Sequence, residues 1–209
     1  MDHWDLIARE RHAFADLVDA LTPEQLDVPS LCGAWSVKEV AAHLAGASDP
    51  GMAEFLVAFV RGRFSFDRAN ETLTATRAVR PVEELTAVIR EHAESRFSPP
   101  MMDWHAPLAD VLIHREDMAV PLGLPADRPV EGWCHVLDFL VSSAARRGFV
   151  RGGRPEAHLV ATDADWTHGE GPEVHGPAHA LALTLSGRPA VVDRLSGPGA
   201  DALAAWSRG

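Results

Sequence analysis

The stretch ADVLIHRED, residues 109–117, decides how this chain is read. It holds no glycine or proline, and its polar residues recur at helical spacing. Asp110 and His114 are one turn apart, and Asp117 lies three residues further on the same stripe. At 100° per residue these three side chains span only about 60° of the helix circumference. Pro107, Val111, Met118 and Pro121 fall on or beside that face. A polar stripe bordered by apolar groups faces a bundle interior or a lined cavity rather than open water. The helix is expected over Pro107–Val120, stopped by Pro121 and Gly123.

Working outward, the same helical texture continues on both sides. Residues 2–20 carry a stripe of Leu6, Ile7, Phe14, Leu17, Val18 and Leu21. Thr22-Pro23-Glu24-Gln25 combines a cap residue, a first-turn proline and an acid, and starts a second helix. Ser36-Val37-Lys38-Glu39 is an S-x-x-E capping box opening a helix that runs past His43 to Asp49-Pro50-Gly51. Further helices are expected over 52–62 and about 67–79, with a break near Gly62–Ser65. Others run from Pro81 to about Arg96 and from Pro129 to Arg147. The texture changes at Gly148–Pro155. HLVATDADW (158–166) has strand character, and HGEGPEVHGP (168–177) reads as a turn and a short strand. PAHALALTLSG (177–187) is an apolar helix ended by glycine. RPAVVDRL (188–195) holds a strand or a short helix, and 199–207 a final helix. The expected organisation is a helical bundle over residues 1–150 and a small α/β domain over 155–209.

Composition narrows the function. The chain has 209 residues, 46% apolar and 23% charged, so it can bury a core and is not a disordered chain. No apolar run reaches the ~18 residues of a membrane helix, and the first residues carry charges where an export signal needs apolar ones. A cytoplasmic protein is expected. The net charge of −11 argues against a nucleic-acid partner. The one dense basic stretch, Arg146, Arg147, Arg151 and Arg154, reads as a helix end followed by a solvated linker. Cys32 and Cys134 are too far apart for a CxxC motif and read as two buried free thiols without a catalytic role. Eleven histidines are the unusual feature.

Asp110 and His114 form either a hydrogen-bonded pair or two ligands to one divalent cation. A third ligand must come from another helix, and His43, set among the small residues of AAHLAG, is the candidate; its other reading is a core histidine. Together the three leave open positions on a cation, as a catalytic site requires. Asp117 either orients His114 or closes the helix beside Arg115. His105 is a loop ligand or a solvated residue. His168, His175 and His179 cluster around glycines of the tail, at a site mouth or in solvent.

Three segments, WSVKEVAAHLAG (35–46), ADVLIHREDMAVPLGLP (109–125) and residues 161–197, together resemble the mycothiol-dependent maleylpyruvate isomerase family of the DinB-like metal-binding superfamily. The resemblance implies a mostly α fold: a DinB-like four-helix bundle followed by a small α/β C-terminal domain. It implies a divalent metal, zinc first among them, held by His43, Asp110 and His114, with mycothiol as cosubstrate. The isomerase type carries glutamate where this chain has Asp110. Ser186-Gly187-Arg188 matches the family's S/T-G-R turn and makes Arg188 the candidate for binding a substrate carboxylate; its other reading is a helix-capping arginine. The expected partners are a low-molecular-weight thiol and a small electrophile, with no nucleic acid and no membrane, in a monomer or homodimer. The thiol would add to an unsaturated substrate, for isomerisation or for S-transfer. The alternatives are a non-catalytic metal- or ligand-binding protein on this scaffold, and a dimerisation module with fortuitous histidines.

Overall fold

A computed structural model describes residues 2–48, 52–61, 63, 65–99 and 101–209. The expected helix stop at Asp49-Pro50-Gly51, and Gly62 and Phe64 of the expected break, lie outside the described residues. The protein is mostly helical. Ten α-helices are described: α1 (His3–Asp19), α2 (Pro23–Leu26), α3 (Val37–Ser48), α4 (Met52–Arg61), α5 (Phe66–Ala78), α6 (Val82–Glu91), α7 (His105–Ala119), α8 (Val130–Val141), α9 (Ala178–Leu185) and α10 (Ala200–Ser207). The three strands are β1 (His158–Ala161), β2 (Thr167–His168) and β3 (Glu173–Gly176). No helix among the described residues is long and apolar enough to cross a membrane.

Contacts group the chain into two units, Met1–Ser98 with His114–Leu124, and Pro99–Ile113 with Pro125–Gly209. The division falls inside the continuous helix α7.

In the first unit α1 packs on α6, α3 on α5 and α6, and α4 on α5. The α1 stripe is buried as its spacing requires, with Ile7, Phe14 and Val18 fully enclosed. Each such side chain contributes roughly 1.5–3 kcal/mol. The expected capping box at Ser36–Glu39 forms, and the structure adds a second at Thr22–Gln25. Thr22 and Gln25 exchange side-chain and backbone bonds at the start of α2. At α3 the Ser36 amide donates to Glu39 Oε2 (2.8 Å), and the Glu39 amide to Ser36 Oγ (3.3 Å). Helix α6 ends at Glu91, short of the expected Arg96. The cause is Arg11 of α1, only 3% exposed. Its Nη1 donates to the carbonyls of Ala93 (2.9 Å) and Ser95 (2.8 Å), and more weakly to His92 (3.4 Å). A buried cation thus satisfies carbonyls just beyond the helix end.

In the second unit the sheet order is β2-β1-β3. β1 pairs antiparallel with β2 (Leu159↔His168) and parallel with β3 (Leu159↔Val174). Helix α9 packs on α8 and β1, and Asp163 Oδ1 accepts the Ala178 amide at its start (2.8 Å). The residues 188–195, open between strand and helix, form a 3₁₀ turn over Pro189–Arg194. Helix α8 stops at Val141 rather than Arg147. Ser142 turns to extended backbone, and the chain folds back so that Phe149 meets the Phe139 ring edge-on at 4.9 Å. Both cysteines are half-buried rather than buried.

Candidate metal centre

The candidate ligands lie on two helices, His43 on α3 behind the α2–α3 loop, and Asp110 and His114 on α7. The capping box starts α3 at Val37 and so fixes the turn on which His43 lies. The loop before it is closed by a backbone bridge between Pro29 and Ser36, with the Ser30 amide donating to the Trp35 carbonyl (2.9 Å). Within it the Trp35 amide donates to the Cys32 carbonyl (3.1 Å). Gly33 takes φ +61° at the first central position of that turn, where a side chain would be strained. The Leu31 amide then donates to the Asp117 backbone carbonyl (2.9 Å), mooring the loop to α7.

The His43 and His114 rings come together edge to face, with centroids 4.8 Å apart. The Trp35 indole lies over both, 5.0 Å from His43 and 6.4 Å from His114. Helix α7 begins at His105, two residues before Pro107. The Asp103 carboxylate accepts both the His105 amide (3.1 Å) and its ring Nδ1–H (2.8 Å). Pro107 thus falls in the first turn, where no backbone donor is needed. His105 stacks on Trp104 at 3.7 Å and is not a member of any three-donor group among the described residues.

Asp110 sits one turn before His114 on α7. Ligand atoms of His43, Asp110 and His114 all lie within 4.8 Å of one another. Zinc with ~2.0–2.1 Å bonds holds tetrahedral donors roughly 3.4 Å apart, so small side-chain adjustments suffice to close this set on a cation. The chemistry of the donors fits too. Asp117, fully buried, accepts from His114 Nδ1 at 2.9 Å. An ionised carboxylate can only accept, which assigns the proton of the neutral imidazole to Nδ1 and its lone pair to Nε2. This is the carboxylate–histidine arrangement that orients metal-binding imidazoles. The first reading of Asp117, contact with His114, is formed, and Arg115 Nη1 donates to Glu116 Oε1 (3.2 Å).

A second group of three donors, Cys32, His114 and Asp117, meets the same distance limit. Sequence reading missed Cys32 and Trp35 as neighbours of the centre.

The family model described as mycothiol maleylpyruvate isomerase N-terminal domain matches residues 7–139. The chain belongs to this family. Two solved structures share its fold over 96% of each chain. A histidine-to-alanine mutant of the mycothiol-dependent maleylpyruvate isomerase matches with TM-score 0.58 at 14% identity. The mycothiol-dependent maleylpyruvate isomerase itself matches with TM-score 0.54 at 13% identity. No curated protein matches in sequence.

The remaining candidates of this family member lie in the second unit. Arg188 follows α9 in a Schellman turn: Gly187 (φ +82°) donates to Thr184, and the Arg188 amide to Leu183 (2.8 Å). Its Nη1 donates to the Ser186 carbonyl (2.7 Å), a capping contact. The tail histidines are separately engaged. His175 Nε2 bonds the Glu173 carboxylate (2.8 Å). His179 Nε2 accepts from Arg194 (2.9 Å). Burial, then Arg194, holds His179 below the ordinary imidazole range, and burial with Arg154 does the same to His168.

Proposed function

We propose that the chain is a divalent-metal-binding, mycothiol-dependent enzyme acting on a small electrophilic unsaturated acid. The observation that carries this reading is the convergence of the His43, Asp110 and His114 donors within 4.8 Å, in a chain of this family. Two imidazoles and one carboxylate are a catalytic rather than a closed structural donor set, and zinc is the cation assigned first. When bound, such a cation supplies the Lewis acidity that lowers the pKa of a thiol at an open position.

The protein's own groups do the rest. Asp117 keeps the His114 proton on Nδ1, so Nε2 stays available as a donor. The Trp35 indole packs beside both imidazoles and restrains their ring orientations. Arg188 is assigned to a substrate carboxylate, which its guanidinium fork binds bidentately. Attack of the thiolate sulfur on one carbon of the C=C bond leaves a C–C single bond; rotation about it and expulsion of the same thiolate, with the double bond re-formed, give the trans isomer. Release of the adduct gives an S-transferase instead.

Metal analysis of the wild type, His43→Ala and His114→Ala tests the proposal. One equivalent in the wild type and loss from both variants is expected. Equal metal content in all three overturns it. In Co²⁺-substituted protein, mycothiol should add a sulfur-to-metal absorption band. Metal binding without that band leaves a metal-binding protein without thiol chemistry.

A further inference from the structure

The segment that follows α8 borders a cleft of about 220 Å³ in the second unit, lined by Ser142, Arg146, Val150, Arg151, Arg154 and Glu156 among others. Three arginines thus line one cleft on a chain of net charge −11, and the like charge of Arg146 is felt at Arg154. Among the described residues none of the three forms an ion pair, and Glu156 bonds none of them although it shares the cleft. Arg151 is held in place. Its Nη2 donates to the Trp206 carbonyl, and its guanidinium lies 5.6 Å over the Trp206 ring. Arg154 is half-buried. Burial, and then the like charge of Arg146, pulls it below the ordinary guanidinium range.

Ser142 adds an independent sign. Ser142 lines the cleft, and its Oγ is buried without a hydrogen-bond partner. A buried hydroxyl left unpaired is costly, as is a cluster of like charges without counter-charge. One ligand relieves both, an oxyanion that takes donors from the arginines and from the hydroxyl. The volume falls below the ~300–1,000 Å³ of pockets that enclose drug-sized molecules, so the occupant is a free anion or a single anionic group.

We propose that the cleft formed by Ser142, Arg146, Arg151 and Arg154 is an oxyanion-binding site of the phosphate class. None of its residues is a candidate metal ligand, and the site does not depend on the activity proposed above.

The test is calorimetric titration of the full chain with inorganic phosphate, at ionic strength held constant with sodium chloride. Saturable binding at one site is expected. Arg146→Ala and Arg154→Ala should each weaken it by about tenfold or more, as expected for loss of a hydrogen bond to a charged group, while Arg80→Ala leaves it unchanged. Glycerol phosphate in a parallel arm separates the two sources. Tighter binding than inorganic phosphate means the site holds one group of a larger ligand, and weaker binding means it holds the free anion. Absence of saturable phosphate binding at millimolar concentration overturns the proposal. So does binding of succinate but not phosphate, or wild-type affinity in both arginine variants. If Arg154→Ala does not fold, Arg146→Ala decides, because Arg146 is exposed and carries no packing role.

Discussion

Replacing Asp117 with asparagine isolates what the carboxylate does for His114. Asparagine keeps the shape and an acceptor oxygen but removes the charge. The bond it perturbs is 2.9 Å long, and the Asp117 side chain is 0% exposed, so water does not screen it. A hydrogen bond to a charged group contributes about 1.5–3 kcal/mol. Outer-shell partners of metal-binding histidines are independently worth roughly 10–100-fold in metal affinity. The two ranges agree, and a loss of about 10–100-fold in zinc affinity is expected for Asp117→Asn. Chelator competition at one fixed pH measures it, with circular dichroism to show that the fold is intact. The Leu31 contact to Asp117 uses the backbone carbonyl and survives the change. Asp117→Ala should lose more affinity and also stability, about 1–3 kcal/mol, because it strands the buried ring N–H. Wild-type zinc affinity in a folded Asp117→Asn protein would refute the reasoning.

Ser36→Ala removes one half of a capping box and should cost about 1 kcal/mol, read as a fall in Tm of roughly 2–4 °C. Arg11→Met leaves the Ala93 and Ser95 carbonyls without their buried donor, and urea unfolding should report a loss of about 2–5 kcal/mol. Gly187→Ala forces a Cβ into φ +82° and should cost about 1–2 kcal/mol by denaturant titration. His179 and His168 have folded pKa values below their ordinary 6.5. Below that pH the unfolded chain takes up protons that the folded chain resists, so stability should fall as pH drops from about 7 towards 5. The double variant His168→Gln/His179→Gln should flatten that profile in pH-dependent chemical denaturation.

The parts legible in the sequence were those governed by neighbours in the chain. The α1 stripe, the Thr22 helix start, the Ser36/Glu39 box and the Gly187 stop all depend on groups within a few residues, and all form as expected. The misplaced helix ends have distant causes. Periodicity along 82–96 cannot reveal that Arg11 takes up the carbonyls after His92. Nor can the good helix formers after Val141 reveal that Phe149 returns to Phe139. The centre shows the same division. Asp110 and His114 were proposed from one turn of helix and His43 from its setting and the family motifs, and their ligand atoms lie within 4.8 Å of one another. Cys32 lies 82 positions from His114, and the backbone bond from Leu31 to Asp117 brings it near. No local pattern encodes such a bond. Asp117 had two readings because its geometry depends on a rotamer, which spacing alone does not determine.

The loop over residues 29–36 is fastened by main-chain atoms: the Pro29–Ser36 bridge, the Cys32–Trp35 turn and the Leu31 amide on α7. None of these fastenings asks for a particular side chain at Leu31 or at the exposed Ala34. The loop can therefore exchange those side chains, by drift or by design, while the indole and both imidazoles keep their places. It is a natural handle for retuning which molecules the protein accepts.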